Sequence, residues 1–396
     1  MQSQSTIRTT EGTANMELSR QWMSRPDDER FLDLDELYGA TKDRADRSRF
    51  DPIRNKMIEV QAVDETPTSD LVLGLRGTAV RSAYSSVDAV PAKMTNWSFG
   101  QLCSRAKVPA GWARESTHPL IAADALNYGL QVKNSKDDVG LYSYENADGL
   151  EVRAATSTTY GRIYDHQVVD AIRELNSDGY WRIPEPTFYL KGEAGREQVA
   201  AESLRRKSTL YASDRDVWGV LTDQDRMVEV KRPDGGVEEL MRGFYFWNSE
   251  VGASVFGIGW FLYRACCENR ILWGTQDMRE LRIRHTSGGP ERFAREGVQV
   301  LSDYAMSSDI ETVETVQRAM SAKVGSDDDE ATTWLQKRRY TKAMATKIIA
   351  RAKEEEGKAE TVWDVVQGAT ALARGTTNAD ARAQAETMAG SLLNTV

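Results

Sequence analysis

The chain is poor in the residues that announce a chemistry. Three cysteines and three histidines are spread over 396 residues. Two of the cysteines, Cys266 and Cys267, are adjacent. Successive residues of a strand point to opposite faces, so neither a disulfide framework nor a closed zinc site is expected from Cys103 and this pair. His118, His166 and His285 stand far apart, in none of the short spacings that hold a metal. There is no GxxxxGK[ST] and no GxGxxG after a strand, so the loops that cradle nucleotide phosphates are missing. Ser249, Glu250 and His285 offer a nucleophile, an acid and a base on paper, but no GxSxG turn surrounds the serine. The expectation is a protein without metal or cofactor and with no catalytic residue to name.

Long apolar runs and excess positive charge are lacking too. The most apolar stretch is interrupted by Arg264, Glu268 and Arg270, so no membrane span is expected, and the polar start has no basic-then-apolar leader. Few cysteines and no leader together read as a cytoplasmic protein, here of a host cell. The net charge of -9 argues against coating of duplex DNA by bulk charge, while leaving room for a local basic face.

What is present is a soluble globular composition, 40% hydrophobic and 28% charged. Residues 1–65 read as an acidic, flexible arm, with fifteen acidic against ten basic residues in the first seventy. Residues 66–290 read as an α+β core domain. Leu71, Leu73 and Leu75 alternate as in a strand, Trp97 to Ala106 and Pro119 to Tyr128 have helical spacing, and Asp148-Gly149 and Asp234-Gly235-Gly236 are hairpin turns. A strand near Thr187 and a small basic patch, Leu204 to Lys207, complete this part. Strands paired by hairpins imply an antiparallel sheet with packed helices. From about 291 to 396 the periodicity is helical, giving a C-terminal helical region.

Two cationic stretches stand out. Between Arg270 and Arg295 there are six arginines against Asp277, Glu280 and Glu291, a local excess of three. Arg282 and Arg284 alternate with Leu281 and Ile283, so a strand aims both guanidinia to one side; with Arg279 and His285 they form a candidate phosphate-facing row. Residues 335–353 hold seven basic residues and no acidic one. They read as one basic amphipathic helix with Leu335, Met344 and Ile348 inward and Lys337, Arg338, Arg339, Lys342, Lys347 and Arg351 outward. Solvated faces with ordinary ion pairs are the plainer alternative for the arginine row, and packing against the acidic arm is the alternative for the helix.

Gly243 to Thr275 sets Asn248, Ser249 and Glu250 among aromatics and glycines, and polar groups in so apolar a stretch need partners. With ATSTTYGRIYDHQVVDAI before it, RIRHT after it and TVWDVVQGATALAR near the end, it resembles the phage and plasmid proteins grouped as domain of unknown function 932. That pattern places Asn248, Ser249, Glu250, Gly252, Arg264, Cys267 and Asn269 as structural positions, and the resemblance covers most of residues 70–390. It implies a gene of a phage or mobile element and no catalytic residues. Hairpin strands followed by a helix are also similar to phage single-strand annealing proteins of the Red-beta class. The reading from these signals is a non-enzymatic, homo-oligomeric, single-stranded DNA-binding protein connected with annealing or recombination. The alternative is a factor that engages host or phage proteins, modulating defence or replication.

Overall fold

The computed structural model describes residues 29–63, 71–75, 90–116, 118–147, 149–184, 208–264, 270–271, 281–305, 310–375, 385–386 and 388–396. The chain enters with β1 (Arg30–Phe31) and α1 (Leu34–Asp46), the helix being capped by Asp33, whose side chain accepts from the Glu36 amide. Next come β2 (Ser48–Arg54), β3 (Ile58–Ala62), β4 (Leu71–Leu75) and β5 (Val90–Met94). Helices α2 (Asn96–Ala106), α3 (Ala110–Glu115) and α4 (Pro119–Asn127) follow, and α4 runs into a π-helical turn, Tyr128–Lys133. The hairpin β6 (Asp138–Asn146) and β7 (Gly149–Thr156) completes a six-stranded sheet in the order β2-β6-β7-β5-β4-β3. Every pair in it is antiparallel except β5 with β7.

One face of this sheet buries Leu73, Val139, Leu141 and Val152 against Phe99, Leu102, Leu126 and Leu130 of the helices. Its edge strand β3 is sealed. The Asn127 amide accepts from the Val60 N–H at 2.7 Å and donates to the Val60 carbonyl at 2.9 Å, while Gln131 donates to the Ile58 carbonyl at 2.8 Å. Side chains thus take the hydrogen bonds that a further strand would take.

The second half begins with α5 (Asp165–Leu175) and β8 (Trp181–Arg182), then β9 (Leu210–Ala212), β10 (Val217–Asp223), β11 (Val228–Lys231), β12 (Val237–Asn248), β13 (Phe256–Arg264), β14 (Arg270–Ile271) and β15 (Leu281–Ile283). With β1 these make a nine-stranded sheet on the path β1-β9-β10-β12-β13-β14, with β15 beside β13. Its inner face carries Leu210, Val217, Leu221, Phe244, Phe246, Ile258 and Ile283 against Leu37 of α1 and Val169 and Ile172 of α5.

Helix α6 (Gly289–Arg292), a π-helical turn at Phe293–Gly297 and α7 (Val298–Ala305) lead to α8 (Ile310–Ser321), α9 (Asp328–Gln336), α10 (Lys342–Glu356) and α11 (Val362–Arg374). Helices α8 to α11 bury Leu335, Ile348, Trp363 and Val366 against Val228, Leu240 and Leu262 of the larger sheet. The protein is an α+β fold with a C-terminal helical region.

Three expectations change. The N-terminal arm expected over 1–65 is folded from residue 29: Leu37 is fully buried, β2 pairs along its length with β6, and β1 joins the larger sheet. Asp33, Asp35, Asp43 and Asp46 stay outside while Phe31, Leu34, Leu37 and Ile53 reach the core, a pattern that net composition hides. The single basic helix over 335–353 is two helices. Thr341, whose hydroxyl accepts from the Met344 amide at 3.2 Å, caps a new start, and Arg339 takes a left-handed φ of 73° in the turn. Met344 consequently faces out rather than inward. Among the described residues of the expected arm, α1 packs on α5 rather than on this region, with Asp35 bound to Arg173 at 2.6 Å.

Candidate functional site

Where the two sheets meet, the turn after β12 is plugged into the smaller sheet by polar contacts. Asn248 and Ser249 are fully buried and Glu250 is 2% exposed. The Asn248 amide donates to the Asp165 carboxylate at 2.7 Å and to the Ile163 carbonyl at 2.9 Å. Ser249 donates its hydroxyl to the Arg215 carbonyl at 2.6 Å and accepts from the Ala253 amide at 2.9 Å. That hydroxyl is therefore committed to the backbone. Gly252 closes the turn at a φ of 90°, which favours glycine, with its N–H on the Ser249 carbonyl at 3.2 Å.

Glu250 finds its counter-ion on the other sheet. A β-bulge in the β6-β7 hairpin leaves Arg153 without a cross-strand partner and turns it into the seam, where its guanidinium meets Glu250 Oε1 at 2.5 Å and the Asp214 carbonyl at 3.2 Å. Arg162 donates to the Glu250 carbonyl and lies 4.0 Å from the ring centroid of Tyr142. Burial alone raises the Glu250 carboxyl, but the charge and hydrogen bond of Arg153 outweigh it and hold the group below the usual carboxylate range. Asp165 goes the other way. Burial and the neighbouring Glu250 charge push it well above its ordinary value. His285 is pressed by burial down to about 4; its ring stacks on Tyr160 at 5.1 Å and its Nδ1 accepts from the Ile163 amide at 3.3 Å. The arrangement holds two sheets together.

The outer face of the larger sheet is different. The register places Arg30 opposite Tyr211, Tyr211 opposite Trp218, Trp218 opposite Trp247, Trp247 opposite Gly257 and Gly257 opposite Arg282, one row across six strands. Tyr245 lies two residues along β12 from Trp247 and stacks on it, centroids 5.4 Å apart and planes 14° apart. Both rings lie over glycine: a Cβ at Gly257 would be 2.0 Å from the Trp247 ring and one at Gly259 would be 2.3 Å from that of Tyr245. One ring face covers bare backbone, as aromatics do over cross-strand glycines. The rings of Trp218, Tyr245 and Trp247 are half-buried rather than sealed into the core. Arg282 is exposed, its guanidinium 5.7 Å from the Trp247 centroid.

The expected site residues fall in three places. Arg282 and the exposed Arg284 lie at the β15 edge of this face, with Ile283 turned into the core. His285 leaves the row for the seam. Lys337, Arg339, Lys342, Lys347 and Arg351 are exposed around the α9-α10 turn, and Arg338 is folded onto Trp334, its guanidinium 3.5 Å from the ring centroid. Cys267, Asn269, Arg279, the strand near Thr187 and Leu204 to Lys207 lie outside the described residues, and of Arg264 only the backbone is described. Among the described residues no group of three or more histidine, cysteine or acidic side chains is placed to hold a metal, and no helix is long and apolar enough to cross a membrane.

Sequence reasoning missed the aromatic row. Its signal was there in the alternation of Phe244, Tyr245, Phe246 and Trp247, which puts two aromatics on each face, but only register reveals what stands beside them. No protein-family model, no curated protein and no solved structure matches the chain.

Proposed function

We propose that the outer face of the larger sheet binds single-stranded nucleic acid, DNA in a phage or mobile-element setting, and that the protein acts without catalysis of its own. The observation that carries this is the row of Trp218, Trp247 and Tyr245 with Arg282 at its end. Unpaired bases need flat partners and phosphates need cations; a duplex, whose bases are already stacked, gains nothing from such a face. Base–aromatic stacking contributes about 1–3 kcal/mol per base, so Trp247→Ala weakens binding of an oligothymidylate by roughly tenfold. Fluorescence anisotropy at low salt checks it. No binding at micromolar protein, or a Trp247→Ala variant that binds as well as the parent, overturns the reading.

A protein-interaction role, with a host or phage protein as partner, has one observation of its own. Trp112, Leu120, Ile121, Tyr128 and Val132, on α3, α4 and the π-helical turn, are 45–63% exposed. Under that reading, a partner captured from host lysate survives nuclease treatment and is lost from an Ile121→Glu, Tyr128→Glu variant.

A further inference from the structure

The α9-α10 corner is as cationic as the sheet face but is built for a different shape. The two helices run back on each other, for Lys353 near the end of α10 meets Asp328 at the start of α9 at 2.8 Å. Acidic and basic residues are thereby sorted to opposite ends. At the far end Glu355 and Glu356 are held by Arg374 and Arg232, at 2.8 and 3.2 Å, and Asp328 by Lys353. At the turn end are Lys337, Arg339 and Lys342, with Lys347 one turn further, and none of them forms an ion pair with a described residue. No acidic residue stands in the first turn of α10, so the positive end of its dipole adds to theirs.

The exposed face of α10 alternates cations with small side chains. Lys342, Ala343, Met344, Thr346, Lys347, Ala350 and Arg351 face out, Arg351 paired with Glu354 at 2.5 Å, while Ala345, Ile348, Ile349 and Ala352 are buried. Small residues between cations let a helix backbone come close to its ligand. No stacking partner is offered, since Arg338 covers the ring of Trp334 and donates to its carbonyl at 3.1 Å. A helix with its side chains is about 10–12 Å wide, which matches the roughly 12 Å major groove of a duplex. The exposed run from Lys342 to Arg351 is about 14 Å long at 1.5 Å per residue.

We propose that the hairpin of α9 and α10 docks on duplex DNA by its turn end, with the exposed N-terminal half of α10 against the major groove and Lys337 and Arg339 on the flanking phosphates. This surface is independent of the stacking face; together they let one chain hold a single strand and a duplex at once.

Two probes separate the surfaces: an oligothymidylate and a duplex of about 20 base pairs, two helical turns. Lys342→Ala with Lys347→Ala, both on exposed helix positions, lowers duplex affinity about tenfold and reduces the slope of log affinity against log salt by about 1.8, two contacts at about 0.9 each. Oligothymidylate binding changes less than about twofold, and Trp247→Ala gives the reverse pattern. The proposal is overturned if the parent protein binds no duplex, if the double variant binds duplex as the parent does, or if either variant weakens both probes equally. Duplex binding that depends on Lys342 and Lys347 stands even where oligothymidylate binding fails, so the two readings fail separately.

Discussion

At the scale of single residues, the two buried carboxylates of the seam have opposite roles, although both are 2% exposed. Glu250 is ionised against Arg153, and its loss as a charge strands a buried guanidinium. Breaking one side of such a pair costs about 3–5 kcal/mol, so Glu250→Gln lowers the urea midpoint sharply at pH 7. Burial and the Glu250 charge favour the neutral form of Asp165, so an amide of the same shape replaces it with little change, within about 1 kcal/mol. Equal losses from the two variants would refute the assignment. A second prediction concerns acid. His285 is lowered from 6.5 to about 4, so the unfolded chain takes up the proton first and stability falls as pH drops through that window. The limb amounts to at most about 3 kcal/mol at 1.36 per unit. Asp214, raised by burial from 3.8 to about 6, acts in the opposite sense: its folded form binds a proton that the unfolded form has lost, so stability falls as pH rises between those values. The two limbs mask each other below about pH 6. Asp165, raised by burial, acts in the same sense as Asp214, so an Asp165→Asn, Asp214→Asn background exposes the His285 limb, and a further His285→Gln reduces the slope of melting temperature against pH.

At the scale of elements, the sealed edge of the smaller sheet makes the most direct test. Asn127 occupies both outward hydrogen-bonding groups of Val60, so Asn127→Leu leaves a donor and an acceptor unmet and opens an edge strand. A loss of about 2 kcal/mol is expected, together with self-association seen by light scattering. Parental stability with unchanged light scattering would contradict it. This contact also shows where sequence stops being informative. The alternation of Leu71, Leu73 and Leu75, the Asp234-Gly235-Gly236 hairpin and the helical spacing of Val362 to Arg374 are local, and local patterns are legible because side-chain period and turn chemistry depend on neighbours in the chain. The Asn127–Val60 contact spans 67 positions and Arg153–Glu250 spans 97, and the latter depends on a bulge that nothing in the β6-β7 hairpin announces. The aromatic row required the register of six strands at once. Within the basic stretch the opposite fault occurred: a helical period continued across Thr341, and only the capping role of that hydroxyl divides it. An N-cap of this kind contributes about 1 kcal/mol, so Thr341→Ala should lower stability by that amount and thereby loosen the corner that α10 needs in order to dock.

At the scale of the whole molecule, the nucleic-acid reading has to be reconciled with a net charge of -9. Binding by stacking does so, because only Arg282 and Arg284 of the exposed edge need meet phosphates, and two contacts on a single strand give a salt slope of only about -1.4. A protein relying on bulk charge would show a far steeper one. The stacking face belongs to one sheet, while the turn that ends its longest strand is gripped by the other. Gln101 of α2 bridges the two directly, accepting from the Ala155 amide at 2.8 Å and donating to the Val251 carbonyl at 2.8 Å, where Trp97 also donates at 3.1 Å. Val251 itself is fully buried with Tyr142 and Ala154 of the smaller sheet. Since these bonds cross the seam, neither sheet can open without exposing the Glu250 cluster, and the two should unfold as one cooperative unit. Hydrogen exchange read by mass spectrometry then gives coincident protection for the β6-β7 and β12-β13 hairpins. Gln101→Leu removes the bridge while keeping its bulk and leaves the Ala155 amide unmet, so the two hairpins should lose protection at different denaturant concentrations. If they remain coincident, the ion pair of Arg153 and Glu250 suffices to couple the sheets, and Glu250→Gln becomes the variant that must split them.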